Sequence, residues 1–318
     1  MLQKMGDLDW KSGVASNALP VEPQCVRAKF RVAENLAVLF FTLELAGSML
    51  FPLPIEGQLK IWGLSFLGVG VLLIIKDSST IQQGKVLPAL RDWYPCLLIP
   101  IAYRASGVFF TADPRHRLDQ IFVEWDNALL GNAVISHWLS VSSLWLGPAL
   151  EISYLLCYPL VPLALLTLVL ARRWGRLRVS AGSSARDPID HFWTAVLLAV
   201  LSCYVLYPFF PLTPPRVLYP GSSGLVTHSA LRALNLWLLH QNGDQASLFP
   251  SGHVAGVVAA SLAVRVYLPR IGRVFLVAAA SVTIATFVGR YHYAADAVAG
   301  VIVAVGAFAI ANSIFKQR

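Results

Sequence analysis

Two histidines in this 318-residue chain stand where an imidazole is expensive. In SLFPSGHVAG, residues 247–256, His253 marks the border between a polar loop and an apolar run that continues through Val264. In GRYHYAADAVAG, residues 289–300, His292 opens the last apolar run and lies four residues before Asp296. On a helix that spacing puts both on one face. A carboxylate one turn away can hold an imidazole in one tautomer and stabilise its charged form. Pro250, Ser251 and Gly252 bring the backbone to a helix start, where unpaired amides and the positive end of the helix dipole favour an anion. Ser251 reads as the N-cap there, with His253 in the first turn. A third segment, YPFFPLTPPRVLYP at 207–220, is stiffened by its prolines and gives Arg216 little freedom. A fixed guanidinium suits a bidentate grip on phosphate. Arg290, two residues before His292, is a further candidate cation. Each stretch also has a bland reading: a His–Asp pair capping a helix, an ordinary serine cap, a loop arginine touching lipid headgroups.

The elements that must position these groups are apolar. The chain is 56% hydrophobic and 13% charged, with a mean hydropathy of +0.62. A soluble domain is nearer a quarter charged, so the composition indicates a polytopic membrane protein. The fold class expected is all-α, a helical bundle of about eight transmembrane helices near 36–53, 58–75, 95–112, 146–171, 190–210, 253–269, 272–289 and 294–315. Residues 118–139 read as an interfacial amphipathic helix. The expected division is a cytoplasmic N-terminal segment (1–35), an accessory helix pair (36–78) and a six-helix catalytic domain (79–318). The net charge of +8 is spread over short segments between apolar runs, which argues against nucleic acid as a partner. With eight spans those segments fall on one side, which the positive-inside rule makes the cytoplasm. Both termini are then cytoplasmic, and Arg216, His253 and His292 share the opposite face (periplasm, exterior or lumen). Arg104 and Glu151, in or near spans, are expected to form a structural ion pair, possible partners for each other. The four cysteines suggest no disulfide framework.

The order of an arginine in a Pro-rich loop, then Pro-Ser-Gly-His at 250–253, then His-Tyr-x-x-Asp at 292–296 resembles the type 2 phosphatidic acid phosphatase superfamily. Within it, the pattern is most similar to the branch containing inositol phosphorylceramide synthases. The resemblance covers residues 95–318. Two positions depart from the phosphatase members: Phe209 stands where they carry a lysine, and Thr286 where they carry an arginine.

The resemblance implies an integral membrane lipid phosphatase or phosphotransferase acting on a lipid phosphate or phosphodiester. His292 would be the nucleophile, oriented by Asp296, and His253 the acid and base. Arg216, Ser251, Gly252 and Arg290 would bind phosphate. The acceptor is water or an alcohol, the latter making a headgroup transferase of the inositol phosphorylceramide synthase kind. A proton-coupled transporter is the competing class; it calls for ionisable groups at mid-membrane depth and for internal repeats, whereas these histidines sit at span ends and no repeat is evident. No cofactor is expected. No Asp/Glu/His cluster in the sequence has metal-ligand spacing, so the site is expected to work without metal. Activity should therefore persist in EDTA; a loss restored by Mg²⁺ would overturn that expectation.

Overall fold

The computed structural model describes residues 29–80, 86–110, 117–130, 143–177, 187–218, 229–241 and 249–316. Among them the regular elements are helices: α1 (Val32–Leu50), α2 (Ile55–Thr80), α3 (Val86–Trp93), α4 (Pro95–Ser106), α5 (Arg117–Leu130), α6 (Ser143–Leu155), α7 (Cys157–Arg173), α8 (Pro188–Leu206), α9 (Pro215–Leu218), α10 (Ala230–Gln241), α11 (Gly252–Tyr267), α12 (Pro269–Val288) and α13 (Ala294–Lys316). No strand forms among the described residues. In hydrocarbon each backbone N–H and C=O needs a partner within its own segment, and a helix supplies one.

Prolines and caps set the breaks. Pro52 and Pro54 separate α1 from α2. Pro188 occupies the first turn of α8, where its missing N–H costs nothing, while Asp187 accepts from the Ile189 amide at 3.0 Å. Among the described residues five helices are long and apolar enough to cross a membrane: Val32–Leu50, Ile55–Lys76, Pro188–Phe209, Pro269–Val288 and Ala294–Lys316. A sixth crossing forms if Leu146–Leu155 and Cys157–Arg173, bent by 56° at their junction, act as one span. Pro95–Phe109 and Gly252–Tyr267 are apolar but shorter. The protein is therefore a multi-pass, all-α membrane protein. All eight apolar stretches of the sequence are helical, though these two fall below ordinary spanning length.

The bundle is built round α11. It packs against α7, α8, α12 and α13, and small side chains let those helices close in: Ala255, Gly256, Ala259, Ala260 and Ala263 are buried. By contrast Val274, Val277 and Ile302 on the outer faces of α12 and α13 are exposed, as a lipid-facing surface requires. α1 joins this core through α8, whose Asp190 accepts from the first-turn amides of Val32 and Ala33 at 3.2 and 3.1 Å. Ion pairs gather at the same end: Asp92 meets Arg31 at 2.7 Å and Arg172 at 2.6 Å, and Arg91 meets Glu34 at 2.5 Å. The histidines lie towards the other end of α8, where Tyr204 and Tyr207 approach Gly252.

Gly300 fixes how closely α13 crosses α11. A Cβ added there would lie 2.7 Å from the Ser251 carbonyl oxygen and 3.1 Å from Val254 Cβ. Neither atom can swing aside, so Gly300→Ala should destabilise by about 1–3 kcal/mol. Gly306, six residues on, has nothing within 4 Å of such a Cβ; Gly306→Ala should be neutral or slightly stabilising. Thermal unfolding of both variants in one detergent checks the contrast.

Candidate active site

Two helix starts meet at the site. Ser251, with φ −65° and ψ 106°, caps α11, and its Oγ accepts from the Val254 amide at 3.4 Å. Its own amide donates to the Asp296 carbonyl at 3.1 Å, which joins the first turn of α11 to that of α13. At α13 the Asp296 carboxylate reaches back to accept from the Tyr293 amide at 3.1 Å, the acidic half of a capping box. Asp126, from α5, accepts from the next two amides, Ala294 and Ala295, at 2.7 and 3.2 Å. The helix thus begins at Ala294, after His292. The expected His292–Asp296 pairing exists, but it spans a turn and a helix start instead of one helical face.

That turn is tightly specified. Gly289 donates to Ala285, and the amides of both Tyr291 and His292 donate to the Thr286 carbonyl at 2.9 and 3.0 Å. Arg290 takes φ 56°, the left-handed region that costs a residue with a Cβ about 1–2 kcal/mol. Thr286 is buried and its hydroxyl donates to Thr283, so the position where the phosphatases carry an arginine is here part of the turn's scaffold. Phe209, at the other departure, packs edge-on to Phe51 with ring centroids 5.9 Å apart.

The rings of His253 and His292 approach to 6.0 Å between centroids, at 75° to one another. His292 Nδ1 lies 3.5 Å from Asp296 Oδ2, longer than a good hydrogen bond; such contacts tighten in complexes. Arg216 donates from its backbone to the Arg290 carbonyl at 3.2 Å and from its guanidinium to the Tyr291 carbonyl at 3.0 Å. Burial pulls its pKa down, yet an arginine starts high enough to stay charged. Its loop is held at Thr213, whose amide donates to Asp119 at 2.7 Å and whose carbonyl accepts from the Tyr293 hydroxyl at 3.0 Å. Of the residues expected from sequence, His253, His292, Asp296, Arg216 and Ser251 therefore converge. The Gly252 amide meets the Tyr207 hydroxyl, so a phosphate would have to compete for it. Arg290 shares the turn, and its charge acts on Asp126.

Other residues join that the sequence reading did not place. Glu151 forms a structural ion pair, as expected, but with Arg232 at 3.3 Å and not with Arg104; it also accepts from Asn235 at 2.6 Å and from the Tyr291 hydroxyl at 2.5 Å. The signal was partial, since an acid in an apolar run demands partners but does not name them. Asp126 carried no signal beyond being one of several acids on an amphipathic helix. A cavity of about 280 Å³ opens beside His253, walled by Tyr103, Cys157, Tyr158, Val161, Tyr204 and Gly256 among others. Among the described residues no cluster of three His, Cys, Asp or Glu is placed to hold a metal.

A family model described as PAP2 superfamily matches residues 120–310, more than half of the chain. No curated protein and no solved structure matches.

Burial lifts the half-buried Asp126 carboxyl from an ordinary 3.8 to about 6, aided by the charge of Asp296, against the two amides that favour its ionised form. A raised folded-state pKa makes its stabilising contribution complete below about pH 4 and lost as pH rises through about 6. Asp126→Asn removes that titration, so the variant should gain stability relative to the parent between pH 4 and 7. Paired melting curves across that range test the sign.

Proposed function

The chain belongs to the PAP2 superfamily, and from that premise we propose that it is a lipid phosphatase or phosphotransferase working through a phosphohistidine at His292. Family membership supports phosphoric ester hydrolysis or phosphoryl transfer at the level of reaction class. The observation that carries the finer reading is the meeting of His253 and His292, from separate hairpins, at 6.0 Å beside Arg216.

In the proposed chemistry Asp296 faces Nδ1 of His292 and keeps the proton there, which leaves the Nε2 lone pair to attack phosphorus. The bond from phosphorus to the leaving oxygen breaks, and His253 gives that oxygen a proton. His253 then takes a proton from water or an alcohol, whose oxygen displaces His292 and breaks the P–N bond. Arg216, the Ser251 hydroxyl, the Gly252 amide and Arg290 would hold the non-bridging oxygens, an arrangement that stabilises charge as it spreads in the transition state. No metal or cofactor is required by these steps.

The lipid nature of the substrate rests on place and shape. The cavity beside His253 is walled mainly by apolar and aromatic side chains inside a membrane bundle, so a hydrocarbon tail can stay dry while its phosphate meets the histidines. Charge distribution supports a site on the non-cytoplasmic face with both termini cytoplasmic. Water as acceptor makes a phosphatase; a lipid alcohol makes a headgroup transferase of the inositol phosphorylceramide synthase kind.

Purified protein presented with phosphatidic acid, a polyprenyl diphosphate and phosphatidylinositol, each with and without ceramide, separates the outcomes by free phosphate or exchanged headgroup. His292→Ala should lower turnover at least about 10³-fold in a folded protein. The rate should be bell-shaped in pH, since one imidazole must begin neutral and its partner charged. Substantial activity in His292→Ala, or a monotonic profile from about pH 5 to 9, would remove the phosphohistidine reading.

A further inference from the structure

Three consecutive carbonyl oxygens lead up to His292, and each accepts from an arginine. Gly289 O takes Arg232 Nη1 at 2.8 Å, Arg290 O takes the Arg216 amide at 3.2 Å, and Tyr291 O takes Arg216 Nη1 at 3.0 Å. Arg232 does more than donate once. Its guanidinium lies over the Tyr291 ring at 4.4 Å, and Tyr154 stacks on that ring at 3.6 Å and 8°. Two groups so close cannot share one face, so the Tyr291 ring is sandwiched between them. The Tyr291 hydroxyl and the Arg232 guanidinium both end on Glu151, and Asn235 fixes that carboxylate from one turn further along α10. Arg232, Glu151, Asn235 and Tyr291 are all buried.

We propose that Arg232, oriented by Glu151, is a positioning residue for phosphoryl transfer: it fixes the turn Gly289–Tyr291 and, through it, the imidazole of His292. This rests on His292 being the nucleophile. The turn needs such a hold, because Arg290 sits in a left-handed conformation that persists only where the surroundings over-determine it. Arg232 is a poor candidate for gripping phosphate directly. Its charge is matched by Glu151, and Nη1 already serves both Glu151 and Gly289. Arg216 by contrast spends its Nη1 on the Tyr291 carbonyl and stands beside the paired histidines, where it can also reach a substrate. A lysine could not replace Arg232, since an ammonium on a flexible stem reproduces neither the planar stack nor the fork.

The test uses the whole protein, with Arg232→Lys and the charge-balanced pair Glu151→Gln/Arg232→Gln. Burst amplitude counts working sites, steady-state turnover gives kcat per site and KM, and inhibition by inorganic phosphate reads anion binding. Expected is a loss in kcat per site of about tenfold or more, with KM and phosphate inhibition changed by less than about threefold. A parallel loss of phosphate binding would make Arg232 a substrate ligand and overturn the proposal. So would an unchanged kcat per site with fewer working sites, or no folded site in either variant, since both describe a residue needed only for folding. A parent protein without any His292-dependent burst defeats the underlying mechanism; a parent burst with unaltered variants defeats the positioning role alone.

Discussion

The Ser251 amide donates to the Asp296 carbonyl at 3.1 Å, and that one bond makes the starts of α11 and α13 a single unit. His253 stands two residues beyond the first partner and His292 four before the second, so the bond sets how far apart the two imidazoles are. It can form only because Gly300 leaves room for the Ser251 carbonyl on the next turn of α13. A bundle packed at this density does not deform smoothly; it holds one spacing or moves to another. Separate histidine hairpins can thus meet in a membrane protein with no rigid sheet beneath them.

The polar groups round this contact are arranged by a consistent rule. Arg232 and Asp296 are buried and Arg216 and Asp126 half-buried, and their bonds mostly end on backbone atoms of the 286–297 segment: Arg216 on Arg290 and Tyr291, Arg232 on Gly289, Asp126 on Ala294 and Ala295, Asp296 on Tyr293. Taking such groups out of water costs several kcal/mol each unless they are paired and hydrogen-bonded. The return on that cost is geometric. Side chains from α5, α9, α10 and α13 converge on a dozen residues of chain that no single helix could hold, because the segment is a turn followed by a helix start that its own residues cap only in part, through Asp296.

Much of this was legible in the sequence, but unevenly. The apolar stretches mark the helices because hydrocarbon tolerates little else. Proline, serine and aspartate mark their starts because they satisfy or remove orphan amides. His253, His292, Asp296 and Arg216 stood out as polar residues at expensive borders. The last span was read at 294–315 and α13 does begin at Ala294, but the sequence could not show what caps it, since Asp126, about 170 residues earlier, accepts from its first amides. Nor could it pair Glu151 with Arg232 in preference to Arg104, because both arginines lie far from it in the chain and only α10, a helix the sequence reading did not place, brings one of them in. Local chemistry was readable; partners supplied by tertiary packing were not.

The two histidines have different surroundings, and the difference fits their proposed tasks. His292 is enclosed, with Asp296 on one side and its turn gripped by arginines. His253 borders the cavity, with the rings of Tyr154 and Tyr158 at 6.3 and 5.7 Å. A nucleophile attacks one atom in one direction, so rigidity serves it. An acid that later becomes a base must meet two different oxygens in turn, first on the group that leaves and then on the one that arrives. Placing that residue against open space lets both groups pass through the same position. Because the open side is walled by apolar side chains, the oxygens that reach His253 most readily are those carried by a hydrocarbon tail, which favours a lipid alcohol both as leaving group and as competitor to water.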